Sequence, residues 1–347
     1  MSNNRSSLRI MHVLLSRGFA GSERSTAESS NQQCIEHQVC VVIRKDHRRH
    51  GVSIRDHLDD RVKVIEVSAK ILTRWQLKKA IDHFKPDVIH AHLRRSTRLV
   101  AKINPAAATV STLHIEVNGP HFLKMDGLIC NARWQIEKIP TAYQGQAFKA
   151  NNSLQHHPTL PDSKLTELRA SLGYRPEDIL IGAVGRYHES KAWDILIPAF
   201  KQLQTSLPVK LGFFGSGHQE QKLKDLAQND DRITFHSYRT DIKDIYQCFD
   251  LLVCPSRYEP LPRVMLEAMD AGVPVIASDI GGCKELIDDY GGDLFRVDDT
   301  EDLARVLLSR LQARPDRHYP DLSAHYVANA NQAIVGFYRQ LIAGKKG

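Results

Sequence analysis

The 347-residue sequence has no apolar run that approaches the roughly 18 residues of a membrane-spanning helix, which excludes an integral helical membrane protein. Its six cysteines include no C-x-x-C pair, so they favour reduced thiols over a zinc site or a disulfide framework. At the amino terminus, two arginines precede a very short apolar stretch without a clear cleavage site, which predicts a first strand and not a signal peptide. We therefore expect a cytoplasmic protein.

Aromatic residues make up only 7% of the chain, yet 42% is hydrophobic, which excludes an intrinsically disordered protein. The length favours two domains. Residues 1–155 have a net charge of +11 and the rest a net charge of −4. A basic front half indicates an anionic partner, which could be nucleic acid, a membrane surface or a phosphorylated substrate, although a solvated basic face without a partner is the alternative.

Short β-rich runs alternate with amphipathic stretches along the whole chain. They predict twelve strands, at 9–16, 38–43, 62–67, 87–91, 108–114, 127–131, 180–184, 210–214, 233–236, 251–254, 274–278 and 292–295, and helical stretches between many of them, one of them at 263–270. This order predicts an α/β protein with two doubly wound domains, each built on a parallel sheet. The Pro-, Asn- and His-rich segment at 151–162 predicts the boundary, which gives domains at 1–155 and 156–321 and a final helical segment at 322–347. Because ligands bind beyond the carboxyl ends of such strands, we expect the chemistry in the loops there, within a cleft between two facing sheets.

The loop after the first strand runs from Gly18 to Ser25 and includes Gly21. Glycines before a helix let the backbone approach an anionic ligand, although a plain tight turn explains them equally well. The run is not G-x-G-x-x-G, and the second strand leads into Arg44 and Lys45 where a nicotinamide enzyme would have an acidic residue for the ribose. A nicotinamide cofactor is therefore not expected.

In the second domain, the first strand ends in Gly185 and Arg186, and Lys191 follows before a helix. Two cations at the carboxyl end of a strand, beside a helix N-terminus, favour binding of a diphosphate. The next strand ends in Gly215-Ser216-Gly217, a second turn that allows close approach.

Two carboxylates flank the start of a helix in the segment 256–274. Glu259 lies in the loop after a strand, whereas Glu267 lies about one and a half turns into a helix that Pro262 is suited to begin. Glu267 is predicted to share a helix face with Arg263 and Ala271. The pair could bind hydroxyls of a sugar and a ribose, or could be a helix-terminal and a solvated carboxylate without function.

Together these motifs resemble the retaining glycosyltransferases of family 4, which have the GT-B fold, and the similarity covers nearly the whole chain. Glu259-x7-Glu267 resembles the E-x7-E signature of this family, and Gly185-Arg186 with Lys191 resembles its donor diphosphate site. The early turn from Ala20 to Arg24, the strand end from Asp87 to His92 and the segment from Asp279 to Glu285 are also similar to family segments.

The resemblance implies a role for each matching residue. Glu259 would contact the transferred sugar, Glu267 the ribose, and Arg186 and Lys191 the diphosphate, while His114 would lie near the reacting carbon. It implies a donor site formed by Gly21, Gly185, Arg186, Lys191, Gly215, Gly217, Tyr238, Arg239, Glu259, Leu261, Arg263, Val264 and Glu267. By the same resemblance the first domain binds the acceptor, the second binds the nucleotide sugar, and the final helix crosses back to the first domain.

The chain departs from the family pattern at three positions. Ala192 follows the signature lysine and Ala20 begins the early turn, where the family usually has glycine, and Pro262 stands where glycine is common. Proline has no N–H, so backbone donation to the donor would have to come from Leu261, Arg263 or Val264.

No D-x-D motif occurs in the sequence, so we expect no metal and no cofactor, with Arg186 and Lys191 stabilising the charge of the leaving diphosphate. Arg94, Arg95 and Arg98 follow a strand end at helical spacing and are the candidates to bind a glycan or glycolipid acceptor. A stretch from Ile71 to Lys85 mixes aromatic and basic residues and could rest on anionic lipid, or be a solvated helix face.

The expected function is transfer of a sugar to a glycan acceptor, with lipopolysaccharide core or a related surface polysaccharide as the product. Two alternatives stay open at this point: a nucleotide-sugar epimerase on the same fold, and a basic nucleic-acid-binding protein. The sequence has no recognised nucleic-acid-binding motif, so we expect no nucleic-acid partner.

Overall fold

The computed structural model describes residues 7–19, 21–48, 51–68, 70, 72–313 and 316–346, so Ala20 and Ile71 lie outside the described residues. The chain divides into two compact units, residues 1–153 with 323–347 (unit 1) and residues 154–322 (unit 2). The final helix therefore belongs to the first unit.

Unit 1 is a seven-stranded sheet in the order β3-β2-β1-β4-β5-β6-β7, and every pair of neighbouring strands is parallel. Its strands are β1 (Arg9–Leu14), β2 (Gln38–Arg44), β3 (Lys63–Val67), β4 (Val88–His92), β5 (Ala108–Leu113), β6 (Gly127–Cys130) and β7 (Gln146–Lys149). Its helices are α1 (Gly21–Gln33), α2 (Thr73–Phe84), α3 (Leu93–Ile103), α4 (Arg133–Glu137) and α12 (Val327–Lys346), and α5 to α11 belong to unit 2.

Unit 2 is a six-stranded parallel sheet in the order β10-β9-β8-β11-β12-β13. Its strands are β8 (Ile179–Val184), β9 (Val209–Phe214), β10 (Ile233–His236), β11 (Leu251–Cys254), β12 (Val275–Ser278) and β13 (Asp293–Phe295). Its helices are α5 (Asp162–Ser171), α6 (Trp193–Lys201), α7 (Glu220–Ala227), α8 (Ile242–Tyr246), α9 (Arg263–Asp270), α10 (Gly281–Tyr290) and α11 (Thr300–Ala313).

Apolar runs form the central strands because helices cover both faces of each sheet. Strands β4, β5 and β11 are buried along their whole length. Among the described residues, buried apolar side chains pack into clusters in both units. The predicted fold class, two doubly wound parallel-sheet domains, is confirmed.

All six cysteines are buried and free. Among the described helices α12 is the longest, and neither it nor any other has both the length and the hydropathy of a membrane span.

Candidate functional site

The candidate donor site of unit 2 is built on the strand ends of β8 and β9. Gly215 has a φ of +157° and lies so close to β8 that a Cβ there would overlap the carbonyl oxygen of Gly185. A Cβ at Gly217 would overlap the backbone of Tyr187, which donates its N–H to the carbonyl of Ser216 over 2.9 Å. Glycine is therefore required at 215 and 217 by contact between the two loops, before any ligand is considered.

Lys191 and Glu259 meet at this edge of the sheet. The Lys191 Nζ forms an ion pair with Glu259 Oε1, and the two side chains are only 17% and 13% exposed. Ser256 Oγ donates to the same Glu259 oxygen over 3.5 Å. Burial lowers the pKa of Lys191, whereas the carboxylate beside it favours the charged ammonium. The family-like lysine and the first signature carboxylate are thus in direct contact.

Arg186 is exposed, and within the described parts of the chain its guanidinium has no hydrogen-bond or ion-pair partner. Only its backbone carbonyl is engaged, by the indole N–H of Trp193 at 2.9 Å. A fixed backbone with a free guanidinium beside a buried lysine is a suitable arrangement for an anionic group.

A positioning residue that sequence reasoning missed is Arg257. Its guanidinium contacts both carboxylate oxygens of Asp194 at 2.9 and 3.0 Å and the carbonyl of Glu189 at 2.7 Å, and its backbone N–H donates to the carbonyl of Ser190 at 2.9 Å. These contacts hold the turn that carries Lys191 against the loop that leads to Glu259. No local signal could reveal them, because the partners are more than 60 residues apart in the chain.

Helix α9 begins at Arg263 after Pro262 and ends at Asp270, the bounds that the sequence predicts. The expected shared face is present, since Arg263 Nη2 lies 3.9 Å from Glu267 Oε1 and both side chains are largely buried. Leu261 is buried before the helix begins, and Val264 is half-buried in its first turn. The carbonyl of Glu259 accepts the N–H of Gly282 at 3.3 Å, which links this loop to the start of α10.

The other residues predicted to bind the nucleotide sugar differ in exposure and in the contacts that they make. Tyr238 is 65% exposed, and Arg239 is paired with Asp241 through two contacts of 2.6 and 2.8 Å. Gly21 begins α1 in unit 1, where no described atom lies within 4 Å of a Cβ, so packing does not require glycine there.

His114 directly follows β5 in unit 1. Its Nε2 is buried without a hydrogen-bond partner among the described residues, and burial lowers its pKa to about 4. The imidazole is therefore neutral at pH 7 and has an unused polar nitrogen. A buried polar atom without a partner is costly unless a ligand or water satisfies it.

The three acceptor candidates lie in the first turns of α3. Arg94 and Arg98 are exposed, with no side-chain partner in the described part of the structure, whereas Arg95 is half-buried with its guanidinium 3.5 Å from the hydroxyl of Thr73. Burial and the nearby charges of Arg44 and Arg98 lower the pKa of Arg95. Such mutual repulsion favours an anionic group bound among them.

Comparison with known proteins fits this geometry. Residues 178–313 match the family described as Glycosyl transferases group 1. A lipopolysaccharide core biosynthesis mannosyltransferase, LpsB of Rhizobium meliloti, is 30% identical over 167 residues, which cover 45% of this chain and 48% of that protein. The chain spans about half or less of the length of this and three other curated relatives that it matches.

Solved structures share the fold across nearly the whole chain. HepE of Anabaena, in complex with UDP and glucose, has a TM-score of 0.73 and 22% identity and covers 97% of this chain and 98% of its own. A glycosyltransferase from Rickettsia africae has a TM-score of 0.79 and 19% identity, covering 96% and 98%.

The comparisons favour neither an epimerase nor a nucleic-acid-binding protein. Both units have the parallel-sheet architecture of GT-B glycosyltransferases, and within unit 2 residues 178–313 are similar to the Glycosyl transferases group 1 family.

Proposed function

We propose that the chain is a retaining, metal-independent glycosyltransferase of family 4 that moves a sugar from a nucleotide-sugar donor to a glycan acceptor. The observation that carries this proposal is the Lys191–Glu259 ion pair beside the free guanidinium of Arg186, at the carboxyl edge of a parallel sheet. Two cations suit a diphosphate, and a carboxylate paired with one of them suits sugar hydroxyls.

In the proposed reaction the bond between the anomeric carbon and the diphosphate oxygen breaks, and its electron pair goes to that oxygen. The acceptor hydroxyl forms the new bond on the same face and gives its proton to the departing phosphate. Arg186 and Lys191 stabilise the negative charge as it develops. Their fixed charge replaces a divalent metal, so turnover persists in chelator.

The other candidates have defined roles in this proposal. Glu259 binds the transferred sugar and Glu267 binds the ribose. The first N–H groups of α9, at Arg263 and Val264, donate hydrogen bonds to the nucleotide sugar. His114 hydrogen-bonds the donor sugar through its unused nitrogen. The loop with Tyr238 and Arg239 selects the base.

Unit 1 binds the acceptor, with Arg94, Arg95 and Arg98 contacting its phosphate or carboxylate groups. The relationship to LpsB supports lipopolysaccharide core or a related surface polysaccharide as the acceptor. UDP-sugars are the first donors to test, since UDP is bound in the HepE structure.

Peripheral contact with an anionic membrane on the cytoplasmic side is part of the proposal. Trp75 is 59% exposed on α2, with the Lys79 Nζ 5.2 Å from its ring centre. Binding to anionic vesicles at low salt that is lost at high salt is the expected result, and no binding at low salt contradicts membrane contact.

A donor screen tests the central proposal. The melting temperature is measured with UDP-, GDP-, ADP- and CMP-sugars, and one class is expected to raise it because that ligand binds only the folded chain. With that donor, nucleoside diphosphate should appear rapidly only when an acceptor glycan is added, in the presence of EDTA. The product should keep the anomeric configuration of the donor. Release without acceptor at the same rate, or loss of turnover in EDTA with rescue by Mg²⁺, contradicts the proposal.

A further inference from the structure

A chain of buried hydrogen bonds crosses unit 1 from α12 to the carboxyl end of β4. The Asn331 Nδ2 donates to the carbonyl of Val327 over 2.8 Å, and the Gln33 Nε2 donates to Asn331 Oδ1 over 3.0 Å. Gln33 Oε1 lies 2.9 Å from His12 Nε2, and His12 Nδ1 lies 3.0 Å from His92 Nε2. Four side chains far apart in the sequence thus form one continuous path.

The contact between Asn331 and the Val327 carbonyl determines which atom donates and which accepts in every hydrogen bond of this path. A backbone carbonyl only accepts, so the nitrogen of Asn331 faces Val327 and its oxygen faces Gln33. The oxygen of Gln33 therefore faces His12, whose Nε2 must carry the proton. In a neutral ring Nδ1 then has a lone pair, and His92 must donate to it from Nε2.

Both imidazoles are neutral at pH 7. Burial lowers the pKa of His12 to about 4 and that of His92 well below its usual value. A neutral His92 that donates from Nε2 has an unprotonated Nδ1. This nitrogen forms no hydrogen bond with a described residue.

The unused nitrogen of His92 belongs to a second feature of the same sheet edge. His92 ends β4 and His114 follows the end of the neighbouring strand β5, with 6.3 Å between their ring centres. The next residue, Leu93, has a φ of +66°, a left-handed conformation that residues with a Cβ rarely adopt. Strain of this kind persists where the local geometry serves a function. The nitrogen of His114 is likewise unused.

We propose that His92 is a second sugar-binding imidazole beside His114, that its Nδ1 accepts a hydrogen bond from a sugar hydroxyl, and that His12, Gln33 and Asn331 are positioning residues that fix its tautomer. Two neutral rings suit hydroxyl groups, because each nitrogen offers either a donor or an acceptor without attracting an anion. The kinetic test of this proposal rests on the glycosyltransferase activity proposed above, whereas its NMR test does not.

A metal ion is the competing occupant, since ligand nitrogens of His12, His90 and His92 lie within 4.8 Å of one another. However, His90 already contacts the Tyr338 hydroxyl at 2.6 Å and the Thr112 hydroxyl at 2.7 Å. A cation would also have to displace the proton that His12 and His92 share. The hydrogen-bond path satisfies these nitrogens without an ion.

Nitrogen-15 NMR of the imidazoles in the full-length wild-type chain tests the tautomer directly. We expect both His12 and His92 to carry their proton on Nε2 at pH 7, with Nδ1 in the unprotonated range. Addition of free glucose, mannose or galactose should shift the Nδ1 resonance of His92. A proton on Nδ1 of His92, no shift with any of the three hexoses, or displacement of the protons by added Zn²⁺ overturns the proposal.

Two substitutions at one position separate binding from packing. An asparagine amide occupies the place of Nδ1, whereas a glutamine amide occupies the place of Nε2. We therefore expect His92→Asn to retain most of kcat/KM and His92→Gln to lose roughly tenfold, the value of one hydrogen bond to substrate. Equal losses, or a larger loss in His92→Asn, would show that His92 acts only by packing.

The role of the hydrogen-bond path is tested with two substitutions on α1, one within the path and one beside it. Gln33→Met removes the acceptor of His12 and should leave His92 as a mixture of tautomers by NMR, with a loss in kcat/KM of about threefold. Gln32→Met alters the neighbouring side chain outside the path and should change neither. An unchanged tautomer in Gln33→Met contradicts the positioning role. If wild type shows no turnover with any donor, the proposed function fails, whereas the tautomer and hexose shifts still decide the role of His92.

Discussion

The two units share one architecture but differ in the chemistry of their carboxyl edges. In unit 1 the strand ends present neutral imidazoles such as His92 and His114, whose pKa values are lowered by burial. In unit 2 they present the Lys191–Glu259 ion pair and the free guanidinium of Arg186. A parallel sheet fixes where the chemistry is placed, and the loop residues decide whether that place suits hydroxyls or a diphosphate.

The largest effect is expected from the charged edge. Glu259→Gln removes the partner of Lys191 and the proposed contact to the transferred sugar, so kcat/KM should fall by at least about 100-fold. The matched control is Glu189→Gln, because Glu189 is an exposed acid in the adjacent turn. Steady-state kinetics with the preferred donor make the comparison, and equal activity of the two variants would contradict the role of Glu259.

The buried neutral imidazoles of unit 1 should make the stability of the protein fall at acidic pH. An unfolded chain binds a proton at His12 below pH 6.5, but the folded chain does so only below about 4, so stability is lost as the pH falls between these values. Over the whole of this pH range, the difference in pKa corresponds to a loss of about 3 kcal/mol in the free energy of unfolding. Denaturant unfolding from pH 7.5 to 4 should show a smaller loss in His12→Gln than in wild type.

The control for this pH experiment is His218→Gln, which alters an exposed histidine of unit 2 and should follow the wild-type curve. A His12→Gln curve parallel to that of wild type would show that this imidazole is not held neutral.

Alanine substitutions at one glycine of each unit compare how closely the surrounding atoms pack against that glycine. Gly215→Ala forces a methyl group against the Gly185 carbonyl and should lower the free energy of unfolding by about 2 kcal/mol. Gly21→Ala meets no described atom and should leave stability unchanged. If Gly21→Ala nevertheless weakens donor binding, the backbone of that turn contacts the ligand. Thermal unfolding that ranks the two variants equally would contradict the steric account.

A smaller effect is expected from Arg257, the residue that positions the charged edge. Arg257→Met releases the turn that carries Lys191 without removing a proposed ligand contact, so kcat/KM should fall roughly tenfold. Lys222→Met, on the exposed face of α7, is the control. A variant of Arg257 with full activity would show that the turn is held by its backbone alone.

The sequence predicted the elements whose patterns are local. The Pro262 start and the apolar spacing after it predicted α9 to the residue, and apolar runs predicted twelve of the thirteen described strands. β7 was missed because it is a four-residue edge strand with a polar residue at each end and no buried residue. The final helix begins at Val327 and not near 322, because a short 3₁₀ turn at Ser323–His325 precedes it.

The site could be predicted only where a motif is contiguous. Glu259 and Glu267 are eight residues apart, and Arg186 and Lys191 are five apart. The path through Gln33 and Asn331 could not be predicted, because 298 residues separate them and only the packing of α12 on α1 brings them together. Tautomers of buried histidines depend on such distant partners.

Calorimetric binding of nucleoside diphosphate is the most direct test of the central claim that the edge of unit 2 binds a diphosphate by Arg186 and Lys191. Wild type, Arg186→Met, Lys191→Met and the double variant are compared in EDTA, with the melting temperature of each as a check on folding. We predict that each single variant loses about tenfold in affinity and that the double variant shows no measurable binding. A folded double variant that binds nucleoside diphosphate as tightly as wild type would contradict the account.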